Sequence, residues 1–536
     1  MTATYQGVAG HDAEWDDLSP EGAPRVIDAL TSFRARLAAL PPSTERWELL
    51  ARSIARDYLD LELERYEHGD HLVDLNNIAS SFQAIRMVFD VMNTSSVEGW
   101  NDIVTRLATI DRVCDGYRRA LAAGLALGRT VARRQVLACI EQGRVHGGER
   151  SYFRTMPGAL ERSGVSTPEL ASRLSEAVEH ACKSYGALTD WLESDYLPSA
   201  REKDAVGHER YLRMARRFLG MQIDAADTYA WGWEQVREIG ESMRKVAAEI
   251  RPGASVAEVI ELLRTDPERC APSADAFLSL MRERQEKAVA ALSGTHFDIP
   301  DPVRRVDVKL APPGSTLGAY YIPPSDGFGR NGTVWYALGD KQRVPLFDEI
   351  SVAYHEGFPG HHLQCGIQVW LTDRLSRLHR VGEGYSGYAE GWALYTERLM
   401  HELGFYEKPD YVLGMLACQM MRACRVVIDI GCHLELPIPE GQSFHPGERW
   451  SFDLGVEMMT NLAGLDLDNA RSEMTRYLGW PGQAISYKVG ERVIFELRDE
   501  AKRREGAAFD LKRFHARVLG SGPVGLASLR DIVVAS

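Results

Sequence analysis

Residues 348–364 read DEISVAYHEGFPGHHLQ and place three histidines and a glutamate within eight positions. His355 and Glu356 open the zincin signature, in which two histidines four residues apart bind zinc and the glutamate is the general base. Here the residue four positions after His355 is Pro359, so the spacing is HExxxxHH and not HExxH. The stretch predicts a metal-binding helix whose second ligand is displaced.

Either His361 or His362 is a candidate for that second ligand. On a straight helix His361 lies about 9 Å along the axis from His355, and His362 about 10.5 Å. Two nitrogens that bind one zinc ion lie within about 3.5 Å of each other, so neither histidine reaches. Pro359 removes a helical hydrogen bond and Gly360 permits unusual torsions, so a kink or two-residue bulge could return one of them. We favour His361, because a two-residue insertion turns a spacing of four into six.

A third ligand is predicted on another helix, in the stretch GYAEGWALYTERL at residues 387–399. Glu390 fits, because a glutamate there completes a site of two histidines and one carboxylate, with the fourth position left for water. Glu397 lies two turns further along the same face, too far for the same ion, and is interpreted as a solvated charge paired with Arg398. The predicted cofactor is Zn²⁺. Glu356 would take a proton from water and pass it to the leaving amine.

The rest of the chain is predicted to be mainly α-helical, with one small sheet. Residues 1–24 are rich in Gly, Asp, Glu and Pro and predict a flexible or loosely docked N-terminal arm, and residues 25–295 are predicted to form a helical N-terminal region. Within the predicted catalytic region, 296–536, three stretches predict short strands between 300 and 340: FDIPDPVRRVDVKLAPP, LGAYYIPP and GTVWYALGD. Helices resume from residue 345. We expect GTVWYALGD to be an edge strand to which a peptide could add through main-chain hydrogen bonds.

Composition limits the expected partners and location. The chain has 536 residues with 62 Lys and Arg against 76 Asp and Glu, a net charge of −14. This balance argues against nonspecific binding to nucleic acid or an anionic membrane. The eight cysteines form no CxxC pair, the N-terminal sequence lacks a secretory pattern, and no run of about 18 apolar residues is evident. We therefore predict a cytoplasmic protein without a membrane partner; the oligomeric state stays open.

Four blocks of the sequence resemble, in order, a bacterial family catalogued as domain of unknown function 885. They are HEGFPGHHLQ, EGWALYTERL with ELGFY, RACRVVIDIGCHL and RYLGWPGQAISYKVG. The C-terminal FDLKRFHARVLGSGPVGLASL also fits, so the likeness covers about residues 300–530. The family is grouped by analogy with gluzincin peptidases. The resemblance therefore implies a zincin-like, two-lobed helical fold with a deep cleft, and a metallopeptidase-like hydrolase without a defined substrate.

The resemblance also indicates residues in the C-terminal blocks. Tyr487 is the candidate oxyanion donor, since a phenol on a C-terminal segment often has that role in deep-cleft zincins. Lys488 is a candidate for binding a substrate carboxylate. Arg422 and Arg425 lie three apart on one helix face and could clamp a carboxylate, although Arg425 could equally pair with Asp429.

The predicted substrate-binding set is completed by His362 and Tyr321. His362 would face the cleft or a neighbouring carboxylate if His361 holds the metal. Tyr321 lies on the strand before GTVWYALGD and could reach the cleft, although core packing is the alternative for it.

The function favoured by these observations is a zinc-dependent hydrolase of short peptides or peptide-like amides. One alternative is a metal-dependent enzyme with a non-peptide small-molecule substrate from specialised metabolism. Another is a non-catalytic binding protein on the same fold, against which the intact set of His355, Glu356 and Glu390 argues.

Overall fold

The computed structural model describes residues 1–312, 318–382 and 384–535. Helices make up 67% of the chain and strands 5%, which confirms the mainly α class with small sheets. The chain divides into two compact units, one of Met1–Ala205 with Leu478–Trp480 and the other of Val206–Tyr477 with Pro481–Ser536. The zincin-like, two-lobed arrangement with a deep cleft stays a prediction.

The predicted boundary at residue 295 falls inside the second unit and does not coincide with this division. The reason is that elements on either side of residue 295 pair with each other. Strand β1 (Cys270–Ala271) pairs antiparallel with β5 (Val344–Pro345). Helix α13 (Ala274–Leu292) packs against β2 (Val306–Leu310). The helices just before residue 295 therefore belong with the sheet that follows it.

The first unit is helical and has its own apolar core. The core includes the aromatic side chains of Phe82, Phe153 and Tyr185, which make edge-to-face and tilted contacts with one another. Its helices are α1 (Thr2–Tyr5), α2 (Gly22–Ala38), α3 (Arg46–Glu67), α4 (Ser81–Met87), α5 (Val97–Ala108), α6 (Ile110–Ala126), α7 (Arg133–Gly147), α8 (Met156–Ser163) and α9 (Pro168–Trp191).

Of the two alternatives for residues 1–24, the structure shows a docked segment, because a buried arginine holds it to α5. Arg106 is fully buried and donates hydrogen bonds to the Thr4 hydroxyl at 3.1 Å and the His11 carbonyl at 3.2 Å. In return, the Trp15 indole donates to the Arg106 carbonyl at 3.0 Å. The polar composition of the segment therefore supplies partners for a buried charge.

The second unit contains the remaining α-helices, except for the last two residues of α20. They are α10 (His208–Leu219), α11 (Ala225–Ile250), α12 (Val256–Thr265), α13, α14 (Glu349–Glu356), α15 (His361–Trp370), α16 (Arg377–Val381), α17 (Ser386–Glu402), α18 (Pro409–Leu434), α19 (Phe452–Asn461), α20 (Leu467–Gly479), α21 (Ser486–Glu505), α22 (Leu511–Gly520) and α23 (Leu526–Ala535). The most extensive contacts between helices are those of α11 with α18 and of α17 with α21.

The predicted small sheet is present, but its strand order differs from the prediction. Strand β4 (Gly332–Ala337) lies between β2, to which it is parallel, and β3 (Gly318–Ile322), to which it is antiparallel. The stretch GTVWYALGD is thus the central strand and not an edge, as its mostly buried residues require. Residues 313–317 of the predicted sheet region lie outside the described residues.

Within the described residues, α18 has the length and composition of a membrane span. An 18-residue window in it has a mean hydropathy of 1.4, although polar residues such as Gln419 and Arg422 interrupt the apolar sequence of this helix. However, 78% of that window is buried within the protein. The apolar character of α18 is accounted for by its place in the core of the second unit.

Helices α17 and α21 approach each other closely through glycines. A Cβ atom on Gly490 would lie 2.0 Å from the Gly387 carbonyl oxygen and 2.7 Å from the Gly391 Cα. Real Cβ atoms do not come so close to backbone, and backbone cannot rotate away as a side chain can. The missing side chains therefore set the distance between the two helices, which carry Glu390 and Tyr487 respectively.

We expect Gly490→Ala to lower the free energy of unfolding by about 3 kcal/mol, because the added methyl group forces α17 and α21 apart. Gly240→Ala in α11 is the matched control, since its Cβ would meet only the ends of two flexible side chains, at 3.5 Å and 3.6 Å. Denaturant and thermal unfolding of both variants measure the difference. Equal stability of the two variants would show that the close approach of α17 and α21 is dispensable.

Candidate metal centre

The predicted kinked helix is in fact two helices joined by a short loop. Helix α14 ends at Glu356 and α15 begins at His361, so the residues between them have left the helical path. The chain turns back over the carbonyl end of α14. A Cβ atom on Gly360 would lie 2.0 Å from the His355 carbonyl oxygen, so only glycine allows this approach.

Side chains from two other helices replace the hydrogen bonds that the loop has lost. Gln285 of α13 donates to the Ala353 carbonyl at 2.7 Å and accepts from the Phe358 amide at 2.6 Å. Trp392 of α17 donates its indole N–H to the Pro359 carbonyl at 2.9 Å. The loop is therefore fixed to the helix that carries Glu390.

This turn brings His361, and not His362, to His355. The two imidazole rings are perpendicular, with their centroids 4.9 Å apart. The Oε2 atom of Glu390 lies 3.3 Å from His355 Nε2 and 3.3 Å from His361 Nε2. Two ligands of one tetrahedral zinc ion, each about 2.1 Å from it, lie about 3.4 Å apart. The three residues thus have the donor types and the spacing of a zinc site.

Glu356 is a second carboxylate close to His355 and His361. Ligand atoms of His355, Glu356 and His361 lie within 4.8 Å of one another, so Glu356 could itself reach an ion. Glu390 is the stronger candidate for a third ligand, because one of its oxygens contacts both imidazoles. The Glu356 side chain makes no hydrogen bond within the described part of the chain, so its carboxyl is available to a substrate or a water molecule.

Sequence reasoning missed the residue that orients His355. Glu397 is 1% exposed, and its Oε1 accepts a hydrogen bond from His355 Nδ1 at 2.8 Å. Its Oε2 accepts from the Ser351 hydroxyl at 2.6 Å, and Tyr406 donates to that hydroxyl at 3.1 Å. The interpretation of Glu397 as a solvated charge paired with Arg398 is wrong. The available signal was its position two turns from Glu390, between Thr396 and other buried residues of α17.

Burial and the close carboxylates shape the acidity of these groups. Burial opposes a charge on His355, but hydrogen bonds to Glu390 and Glu397 outweigh it and raise the pKa of this histidine to about 9. The two histidines together hold the pKa of Glu390 well below its usual range despite its burial. Burial raises the pKa of Glu356. Glu390 is therefore the anionic carboxylate of the set, and Glu356 is the one most readily protonated.

Tyr487, the predicted oxyanion donor, lies against the histidines. Its ring is nearly parallel to that of His355, with 6.2 Å between centroids. The guanidinium of Arg425 lies 4.7 Å from the Tyr487 ring centroid and that of Arg422 lies 5.8 Å from it. Burial, and then the charge of Glu390, raise the pKa of the Tyr487 phenol, so this group is a hydrogen-bond donor at neutral pH.

Two predicted substrate-binding residues have other partners. His362 is 1% exposed; its Nε2 donates to the Val303 carbonyl at 2.8 Å and its Nδ1 accepts from the Tyr321 hydroxyl at 3.0 Å. Burial lowers the pKa of His362 to about 4, so it is neutral. The prediction that His362 faces a cleft or a carboxylate is wrong, and the Tyr321 hydroxyl serves to fix His362. Together they connect α15 to β3 and to the segment before β2.

Lys488 is also misassigned as a ligand for a substrate carboxylate. Its ammonium is 1% exposed and donates to Gln419 Oε1 at 2.6 Å and Glu491 Oε2 at 2.5 Å. The side chain points into the packing of α18 and α21, one helical position away from Tyr487. A buried ammonium needs such partners, and these two contacts hold the Lys488 ammonium inside the protein.

The alternative pairing of Arg425 with Asp429 is not formed. Arg425 donates instead to Glu473 Oε2 at 2.7 Å. Asp429 accepts from the Tyr211 hydroxyl and the Gly482 amide, both at 2.9 Å. A spacing of four on a helix permits a contact between Arg425 and Asp429, but both side chains contact residues on other elements instead.

The family model described as bacterial protein of unknown function (DUF885) matches residues 1–533. The chain belongs to this family. The match extends the likeness from the C-terminal blocks to the whole helical N-terminal half. No protein with a curated description matches the chain.

Two solved structures share the fold of this DUF885 chain. One is a proposed lipoprotein from Colwellia psychrerythraea, with 23% identity, a TM-score of 0.87, and coverage of 100% of this chain and 95% of the other. The second is a proposed lipoprotein of unknown function from Shewanella oneidensis, with 17% identity, a TM-score of 0.77, and coverage of 99% and 96%. At these identities the likeness concerns the fold alone.

The ligand assignment predicts opposite outcomes for the two adjacent histidines. We expect His361→Ala to lose bound metal and His362→Ala to retain one equivalent, with lower stability because the Val303 carbonyl and Tyr321 lose their partner. Metal analysis after dialysis, together with circular dichroism, measures both effects. Retention by His361→Ala and loss by His362→Ala would reverse the assignment.

The contact between Glu397 and His355 predicts weaker metal binding when the carboxylate is neutralised. Glu397→Gln should reduce metal affinity roughly 10- to 100-fold, because the imidazole loses the acceptor that orients it. Competition with a chelator measures the affinity. Glu402→Gln is the matched control on α17, where the carboxylate pairs with Arg498 at 2.8 Å. Equal affinities for the two variants would show that Glu397 does not act on the site.

Proposed function

We propose that this protein is a metal-dependent hydrolase that cleaves amide bonds in short peptides or peptide-like molecules. The observation that carries the proposal is the convergence of His355 Nε2 and His361 Nε2 on one oxygen of Glu390, each at 3.3 Å. His355, His361 and Glu390 would hold the ion, and zinc suits a set of two imidazoles and one carboxylate. When bound, zinc supplies Lewis acidity, which polarises a carbonyl group and makes a water molecule more acidic.

Glu356 is the general base and acid of the proposed reaction. It follows His355 directly, its carboxyl has no internal partner among the described residues, and burial raises its pKa. A carboxylate in this condition can accept a proton from the attacking water and return it to the nitrogen of the leaving amine. Both proton transfers use the Glu356 carboxyl, which the end of α14 places beside His355.

Tyr487 is the proposed donor to the oxygen that gains charge as the amide carbonyl is attacked. Its ring lies beside His355, and its phenol remains protonated because burial and Glu390 both oppose ionisation. A donor fixed before the reaction stabilises the transition state without reorganisation. Glu397 contributes indirectly by holding His355 in one orientation.

The substrate size and the location belong to the proposal as well. A deep cleft, as the family resemblance implies, would admit short peptides and exclude folded proteins. We propose a cytoplasmic location, as the composition predicts. The lipoprotein assignment belongs to the two solved relatives, at 23% and 17% identity.

The direct test is Glu356→Gln compared with the unsubstituted protein on a library of short peptides. We expect the variant to keep about one equivalent of zinc and to lose at least about 100-fold in turnover, because a neutral amide cannot accept the proton. Chelation of the unsubstituted protein should abolish turnover and added zinc should restore it. Absence of stoichiometric metal after zinc supplementation, or full activity of the variant, would contradict the proposal.

A further inference from the structure

Two arginines of α18 lie buried beside the candidate metal centre with too few partners for their charge. Arg422 is 8% exposed and Arg425 is 7% exposed, and both guanidinium groups lie close to the ring of Tyr487. Burying a cation is unfavourable unless an anion or several acceptors compensate it. The acceptors around each arginine therefore show whether the folded chain compensates the charge by itself.

Among the described residues, Arg425 has one hydrogen-bonded carboxylate, and it shares that carboxylate with another arginine. Its Nε donates to the Tyr477 hydroxyl at 2.8 Å and its Nη2 to Glu473 Oε2 at 2.7 Å. Arg476 donates to the same Oε2 at 2.9 Å. One carboxylate thus serves two cations. The Nη1 of Arg425 is buried and has no hydrogen-bond partner among the described residues.

Arg422 has no hydrogen-bonded carboxylate in the described part of the chain. Its Nη1 donates to the Cys418 carbonyl at 3.2 Å, and its Nε is buried without a partner. The carboxylate with the largest electrostatic effect on Arg422 is that of Glu397. Both oxygens of Glu397 already accept hydrogen bonds, from His355 and Ser351. Arg422 therefore keeps free donor capacity.

Both guanidinium groups lie beside the Tyr487 ring, at 5.8 Å for Arg422 and 4.7 Å for Arg425. The charge of Arg422 also acts on Glu356. Arginines three apart on a helix present their guanidinium groups to a common neighbour, and planar guanidinium groups match the geometry of a carboxylate. Lys488, the other cation predicted to bind a carboxylate, is already committed to Glu491.

We propose that Arg422 and Arg425 bind a carboxylate of the substrate, so that the preferred substrates are peptide-like amides with a free carboxylate close to the bond that is cut. The inference rests on the proposed hydrolase function and narrows its substrate class. A terminal carboxylate held at these arginines would position the scissile amide towards the His355, His361 and Glu390 set, with Tyr487 between the two.

Binding separates this inference from catalysis. The probes are N-acetylated dipeptides with a free C-terminal carboxylate and the same dipeptides with a C-terminal amide, titrated by calorimetry into Glu356→Gln protein. We expect the free acids to bind roughly 10- to 100-fold more tightly, the range for a hydrogen-bonded charge. Arg422→Gln and Arg425→Gln should each reduce this preference, and Arg422→Lys should retain part of it.

Arg492→Gln is the matched control. This arginine is 41% exposed on α21 and pairs with Glu496 at 2.8 Å, so its removal changes the net charge equally without touching the cluster. The acid preference should persist in this variant. Because the comparison of acids and amides in the Glu356→Gln protein needs no arginine variant, an arginine variant that does not fold leaves the test intact.

Three results would overturn the inference: equal binding of acids and amides, no binding of either at millimolar concentration, or an acid preference that survives both arginine-to-glutamine variants. Turnover is measured separately in the unsubstituted protein. Acid-selective binding without turnover of any peptide would refute the hydrolase proposal and keep the carboxylate site. Equal turnover of acids and amides, with no difference in binding, would support the hydrolase proposal and refute the carboxylate site.

Discussion

The candidate site depends on one close backbone approach, where the chain turns back over the end of α14. The carbonyl oxygen of His355 occupies the space that a side chain on residue 360 would need, at 2.0 Å from an ideal Cβ. Glycine at this position lets α15 begin beside α14, so that His361 reaches His355. Across the spacing of six residues, which would separate the two histidines on a straight helix, their side chains come close enough that they could bind one ion.

The turn would not hold its position without support, because it removes several helical hydrogen bonds. Gln285 and Trp392 replace some of them, from α13 and α17. Trp392 is two residues from Glu390 on the same helix, so the group that fixes the loop also fixes the third ligand. The glycine contacts between α17 and α21 extend this arrangement to Tyr487. Loop, ligands and phenol are therefore parts of one rigid assembly within the second unit.

The sequence was sufficient for the helical class, the small sheet and the residues of the central motif, because each depends on local pattern. Periodicity indicates helices, and the types and spacing of His355, Glu356 and Glu390 indicate metal chemistry. The features that the sequence could not predict depend on contacts between segments that lie far apart along the chain. Glu397 is predicted to be a solvated charge and Lys488 to bind a substrate carboxylate, because their buried partners become neighbours only after folding. The order of the strands likewise depends on pairing across the sheet.

The distribution of charge gives the second unit its chemical asymmetry. Beside Tyr487, the carboxylates of Glu356, Glu390 and Glu397 lie around two imidazoles, an arrangement that a divalent cation would balance. Near the same phenol, Arg425 shares the Glu473 carboxylate with Arg476, and Arg422 has no hydrogen-bonded carboxylate in the described part of the chain. Both groups of side chains lie close to Tyr487, so a ligand bound at one of them would also be near the other. A substrate that combines an electron-rich carbonyl with a carboxylate would match both groups, which is why the proposed substrate carries both.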